Sequence, residues 1–311
     1  MSSSLGFILR PFADALSFLG TPVHPTLFPY PWATTLHAAR ISLVYQFLSL
    51  PHKQNLSWKP YLTGFLLMSW GGALFSHSLL SLPPPQILSI HPYINYLVPH
   101  LLLTFVFTLF PGSMPQTPKD LAWIDLVLFP VDALLRVGAI TGAVSMLSPS
   151  SDATARIHPS LPSSPFFHIL LGAAASAGGG ILATTLQTFT PNWQFTTPPF
   201  LRPGVGFIGL MDLWAGSVVA AVFSLGVGHP AFKGVVPEWL ESVIFVSSGG
   251  EGEQKLYLSV KGAKALGALV MTVLFGYRAV GGWMKNNHAT SSVSKGKGVS
   301  GEKEKGKKKA Q

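Results

Sequence analysis

The sequence contains no cysteine. That single absence excludes a disulfide framework, a thiolate metal site and a cysteine nucleophile. Charge is also scarce: only 11% of the 311 residues are Asp, Glu, Lys or Arg, against about 25% in an average soluble protein. Acids are scarcest, 12 against 21 Lys and Arg. No paired carboxylates, HExxH, GxSxG or phosphate loop occurs, and the histidines lack metal-ligand spacing, so neither an enzyme nor a cofactor or metal site is expected. What fills the chain instead is apolar, 48% of all residues, in long blocks separated by short proline-rich stretches. That pattern excludes most soluble folds and points to an all-α polytopic membrane protein.

The net charge of +9 resembles a nucleic-acid footprint until its placement is considered. Residues 284–311 carry eight Lys and two Glu, so this tail alone contributes +6 and the remaining body is nearly neutral. No nucleic-acid partner is expected. A stretch of Lys, Gly, Ser and Glu cannot bury enough apolar surface to fold, which reads as a disordered basic cytosolic tail able to meet anionic lipid headgroups. The first 27 residues have one early Arg and a short apolar run without a cleavage site, consistent with mature chain carrying a short interfacial helix.

About 20 mostly apolar residues cross a bilayer, and seven stretches meet that requirement: 28–50, 60–82, 94–112, 121–147, 166–189, 204–228 and 256–282. Prolines mark the breaks between them, since proline lacks an amide donor and restricts its predecessor. The membrane domain so defined covers 28–283. Its last span carries Lys261, Lys264 and Arg278, which must lie near a membrane face or point into the protein. The basic tail belongs in the cytosol by the positive-inside rule, and seven spans then put the N-terminus in the lumen. The segment 235–255, with Glu238, Glu241, Glu251 and Glu253, reads as an acidic lumenal loop.

The spans repeat. The second contains Trp70-Gly71-Gly72-Ala73 and the fifth contains Gly172 followed by Gly178, Gly179 and Gly180. Each follows a span with one arginine, Arg40 or Arg136. The order is arginine helix, glycine helix, plain helix, twice over (28–112 and 121–228), with a C-terminal helix left over. Because three is odd, the second copy is inverted. Glycines weaken a helix by about 1 kcal/mol each relative to Ala. They serve either close helix packing or a bend whose carbonyls line a wet path, and two clusters at matching places favour the path. An arginine near mid-membrane costs at least about 2.5 kcal/mol. Its possible partners are Asp132, one turn before Arg136, and Asp125 and Asp212. Pairing at i,i+4 is purely structural; a place on the path is the competing role. His37, His77, His100 and His168 read as polar contacts between helices.

The organisation of seven spans as an inverted 3+3 repeat plus one helix resembles the trimeric intracellular cation channel family. The likeness covers roughly residues 14–283 and is carried by ALSFLGTPVHPTLFPYP, SWGGALFSH, FPVDALLRVGAI and GAAASAGGGILATTLQ. It implies a homotrimer with one pore per subunit, passing potassium across the endoplasmic reticulum or nuclear membrane to balance calcium release. It also implies that Gly71, Gly72, Gly178, Gly179 and Gly180 bend helices around the pore. The family's fourth-span motif, Lys-Glu-Val followed two residues on by Arg, holds a phosphoinositide. Here Arg136 matches the Arg and Leu134 the Val, but Asp132 and Ala133 stand at the Lys and Glu positions. An aspartate cannot pair with a phosphate, so only Arg136 transfers as a lipid-headgroup contact.

A mechanism follows from this resemblance. Bent backbones and the hydroxyls of Ser69, Ser76, Thr184 and Thr185 replace part of a cation's water shell. Asp132 adds negative charge on the path, while Arg136, with Arg40, gates or brakes it. The alternative is a secondary transporter for a small solute, which shares inverted repeats and broken helices. A retinal protein built on Lys261 or Lys264 is disfavoured because the third span holds no carboxylate.

Overall fold

The computed structural model describes residues 3–235 and 258–307. Helix α1 (Ser3–Leu19) leads into a hairpin of two short antiparallel strands, β1 (Pro22–His24) and β2 (Phe28–Pro31). Then come α2 (Trp32–Ser49), α3 (Trp58–Leu79), the single turn α4 (Pro85–Leu88) and α5 (His91–Leu109). The second half holds α6 (Pro118–Ser145), α7 (Pro165–Leu186) and α8 (Met211–Gly226), followed by α9 (Val260–Lys307). Every expected span has its helix. The first begins at Trp32 rather than 28, because Phe28–Pro31 extends as a strand whose prolines cannot donate helical bonds.

Local chemistry sets the ends. Thr117 and Asp120 cap α6 reciprocally, with Pro118 at the first helical position where its missing donor costs nothing. Ser164 caps α7 by accepting from the Phe167 amide. Gln187 stops that helix in the left-handed region at φ 50°. α2 gives way to a tight turn at Leu50–His52, at the predicted break of Pro51.

Among the described residues, five segments are long and apolar enough to cross a membrane: α5, α6, α7, residues 207–226 leading into α8, and residues 260–286 of α9. The protein is an all-α polytopic integral membrane protein. Helices α2 and α3 are similar in length, but they carry more polar side chains. Ser42, Gln46 and Ser49 of α2 and Ser69 and Ser76 of α3 are buried inside the bundle. α5 does the reverse and presents Val98, Leu101, Leu102, Phe105 and Leu109 outward, as a lipid-facing helix should.

The first half centres on Ala38, Tyr45, Phe65 and Met68. The second half and α9 share a core that includes Ala133, Val137, Ile140, Ala215, Val219, Ala263, Ala268, Met271 and Phe275. α1 lies against this core through Phe12 and Leu16, so the interfacial helix expected near the N-terminus is a packed one. α9 is helical to Lys307, whereas composition argued for disorder from 284. Lys and Glu are good helix formers, and the backbone continues the membrane helix through them. Residues 308–311 and the acidic segment 236–257 lie outside the described residues.

The middle helices of the two halves meet at their glycines. A Cβ on Gly71 would sit 2.6 Å from the Gly179 Cα, one on Gly178 would sit 2.9 Å from the Gly72 Cα, and one on Gly179 would strike the Met68 carbonyl. Gly72 faces the Ala175 carbonyl as closely. Gly172 of α7 and Gly216 of α8 make a second such contact, a Gly172 Cβ falling 2.5 Å from the Gly216 carbonyl. Overpacking costs about 1–3 kcal/mol and sometimes more, so Gly179→Ala should lower stability by at least that much. Gly180 has nothing within 4 Å of a built Cβ, and Gly180→Ala should leave stability unchanged or raise it by up to about 1 kcal/mol. Thermal unfolding of the two purified variants in detergent checks the contrast; equal losses would contradict the contact.

Candidate functional site

Neither α3 nor α7 breaks at the glycines where a bend was expected. Both helices run uninterrupted, from Trp58 to Leu79 and from Pro165 to Leu186. Gly71, Gly72, Gly178 and Gly179 are used for backbone contact, the close-packing role, because a residue without Cβ lets two helices approach where lipid offers no hydrophobic gain. Gly180 differs. It is exposed and lines a cavity of about 210 Å³ with Ala177, Thr184, Pro199, Phe200 and Asp212. The outer face of α7 is therefore open one position beyond the glycine contact.

Asp212 leads from that cavity into the membrane interior. Its carboxylate accepts from Arg278 Nη1 at 2.6 Å and lies 3.2 Å from Arg136 Nη1. The Asp132 carboxylate is 3.5 Å from Arg136 Nε, one turn away on α6, and 4.0 Å from Arg278. The Phe275 ring lies under both guanidinium groups, 4.2 Å from Arg278 and 5.1 Å from Arg136. That arrangement adds cation–π attraction where water is excluded. Arg136 also donates to the Ser176 carbonyl at 2.6 Å. Arg40 pairs instead with Asp125, joining α2 to α6. Three arginines and three aspartates thus compensate one another, along a stretch of α6 from Asp125 to Arg136 that spans about 16 Å at 1.5 Å per residue.

The six are not equally open. Asp132 is 7% exposed and Asp212 39%, so Asp212 is the carboxylate that faces the cavity, and Asp132, expected on the path, is enclosed between two arginines. The reason is its position at the middle of α6, turned toward α9. The three aspartates named from sequence are all partners of the two arginines named with them. Sequence reading missed Arg278 and Phe275 as parts of the group. The signal was present: an arginine within an apolar helix has to face inward, and Phe275 lies three residues before it on the same helix face.

The expected hydroxyls divide. Thr184 donates to the Gly180 carbonyl at the cavity wall, and Ser76 donates to the Gly72 carbonyl inside α3. The hydroxyls of Ser69 and Thr185 are buried without a partner. His37 donates to the Ser69 carbonyl at 3.2 Å, as Arg136 does to Ser176. Each serine stands two residues before the glycine pair of its helix, so first helix and middle helix are tied at the same place in both halves. His100 and His168 also bridge helices, to Ser42 and Ser224, while His77 bonds only within α3, to the Ala73 carbonyl. Lys261 is exposed at the start of α9 and Lys264 half-buried.

These features define a membrane protein that holds a charge-compensated polar group inside its helix bundle, with one carboxylate facing a cavity. The structure of a trimeric intracellular cation channel from C. elegans in the absence of Ca2+ is similar to this chain at 18% identity and a TM-score of 0.46, over 87% of this chain and 95% of that one. No family model and no curated protein matches the sequence.

Removing one partner of an enclosed ion pair leaves the other charge uncompensated, at a cost of about 3 kcal/mol or more. Asp132→Asn should therefore destabilise the protein more than Asp212→Asn, whose carboxylate is partly screened by water. The double variant Asp132→Asn, Arg278→Gln should lose less than the two single losses combined. Unfolding of the four proteins in detergent measures this; strict additivity would show that Asp132 and Arg278 do not interact.

Proposed function

We propose that the protein is a cation channel of an intracellular membrane, with the cavity between α7 and α8 as one mouth of the path and Asp212 as the charge that selects for cations. The observation that carries this reading is Asp212 itself. A carboxylate part-open to a cavity of about 210 Å³ presents negative oxygens to an entering cation, and the arginines behind it hold it in place. Thr184 supplies a hydroxyl oxygen on the opposite wall. A partly hydrated monovalent ion needs no more than such weak, scattered ligands, because it must also leave.

Arg136 and Arg278 stand directly behind Asp212 and act as an electrostatic brake: a cation passing deeper has to separate or reorient them. The backbone contact at Gly71, Gly72, Gly178 and Gly179 is the closed constriction. The sequence resemblance supports potassium as the main ion, a homotrimer with one pore per subunit, counter-ion flux during calcium release, and residence in the endoplasmic reticulum or nuclear membrane. The basic tail supports a cytosolic C-terminus and a lumenal N-terminus. Residues 28–112 and 121–228 act as the two inverted repeats, with the seventh helix bracing the second. Contact of Arg136 with a phosphoinositide is not part of this reading, since its hydrogen-bonding groups are directed at Asp132, Asp212 and Ser176.

One observation favours a carrier as the second reading. A centre sealed by backbone contact, with a cavity beside it, is also what alternating access requires. Planar-bilayer recording separates the two. The channel reading expects discrete unitary currents with potassium preferred over chloride. It expects Asp212→Asn to reduce that preference by about threefold or more, as loss of about 1 kcal/mol of attraction implies, with Asp132→Asn acting chiefly on stability. Saturable solute flux without unitary currents would favour the carrier. Unchanged ion preference in Asp212→Asn would remove Asp212 from the path.

A further inference from the structure

The two halves can be compared corner by corner. Tyr61 stands eight residues before Ser69 in α3, and His168 eight before Ser176 in α7. Each reaches a hydroxyl on the third helix of its own half: Tyr61 Oη is 3.3 Å from Thr104 Oγ1, and His168 Nδ1 is 2.8 Å from Ser224 Oγ. The first helices end nearby with Ser49 and Ser145, each nine residues after its arginine.

In the second half this corner is filled. His229 donates to the Leu147 carbonyl at 3.0 Å, its ring meets that of His168 edge-on at 4.4 Å, and Phe232 packs on His168 at 5.4 Å. In the first half the same corner is a cavity of about 200 Å³, between the ends of α2, α3 and α5. Its lining is mixed: Gln46, Ser49, Tyr61 and Thr104 set polar groups among the apolar surface of Leu56, Trp58 and Met114, with Lys53 beside them. Gln46 is 5% exposed and donates to Ser42 Oγ, which in turn bonds His100. Lys53 is the one charged residue among the described residues lining it, and none of them is acidic. Three helices end here together, so the opening lies at a membrane face. There a 60% exposed Trp58 and a lysine suit the headgroup level.

We propose that this cavity holds the phosphate-bearing headgroup of an anionic phospholipid. Lys53 pairs with the phosphate, Gln46, Tyr61 and Thr104 hydrogen-bond the polar headgroup, and Trp58 flanks the acyl chain. The bound lipid does in the first half what His229 and Phe232 do in the second: it closes a corner that the chain leaves open. The inference does not rest on the channel reading, and loss of conduction would leave it intact.

The test uses the full chain in detergent. Quenching of tryptophan fluorescence by brominated phosphatidylglycerol is compared with quenching by brominated phosphatidylcholine, and the Trp58→Phe protein isolates the contribution of Trp58. Saturable Trp58 quenching that prefers the anionic lipid is expected. Lys53→Gln should weaken it about tenfold or more, the scale of one charge-assisted hydrogen bond, while Lys53→Arg retains it. Thr104→Phe, which fills the cavity, should abolish it. Lys53→Gln is a surface change and stays informative if Thr104→Phe does not fold. Equal quenching by both lipids with no effect of Lys53→Gln would overturn the site. Glycerol 3-phosphate and inorganic phosphate distinguish the sources: displacement of lipid only at large excess supports the lipid, and saturation by the free anions with no lipid preference overturns it.

Discussion

An arginine inside hydrocarbon must find an anion, and this chain carries Arg40, Arg136 and Arg278 within its bundle. The rest of the architecture depends on how they are answered. Arg40 with Asp125 fastens α2 of the first half to α6 of the second. Asp132 and Asp212 between Arg136 and Arg278 fasten α6, α8 and α9. Separating any of these helices would strand a charge in a medium where it costs several kcal/mol, so the charges specify which helices are neighbours. Apolar packing in lipid cannot do so alone, because a tail is as good a neighbour as another helix.

The glycine contact supplies what the charges cannot, a close and shape-specific approach of α3 to α7. Its place beside Ser69 and Ser176, whose carbonyls accept from His37 and Arg136, connects the polar group to that close approach. Each of those bonds holds a first helix to the middle helix of its own half, so movement of Arg136 bears on the glycine contact through Ser176. This coupling is local and needs no long pathway.

Much of this was legible in the sequence for identifiable reasons. Helices were readable because proline and apolar blocks report directly on backbone donors and membrane thickness. The arginine partners were readable because few aspartates exist to choose from. The glycines were only half legible: a glycine pair is equally suited to a bend and to a close contact, and the contact becomes visible only with the facing helix in place. That Asp212 is more open than Asp132 was hidden for a similar reason. Which of two carboxylates meets water depends on helix rotation, and the weak amphipathic patterns of buried membrane helices do not encode it. The open corner at Lys53 was invisible because it becomes apparent only beside its filled counterpart at His229.

The absence of native cysteine makes the central claim directly measurable, since any introduced thiol is unique. Single cysteines at Thr184, Leu213, Ser69 and Ser176 can be reacted in membranes with a charged, membrane-impermeant thiol reagent applied from either side. Thr184→Cys and Leu213→Cys should be modified rapidly from one side only, and Ser69→Cys and Ser176→Cys slowly from both. Protection at all four positions would contradict a water-filled approach to Asp212, and rapid modification of Ser69→Cys and Ser176→Cys would contradict the seal between α3 and α7.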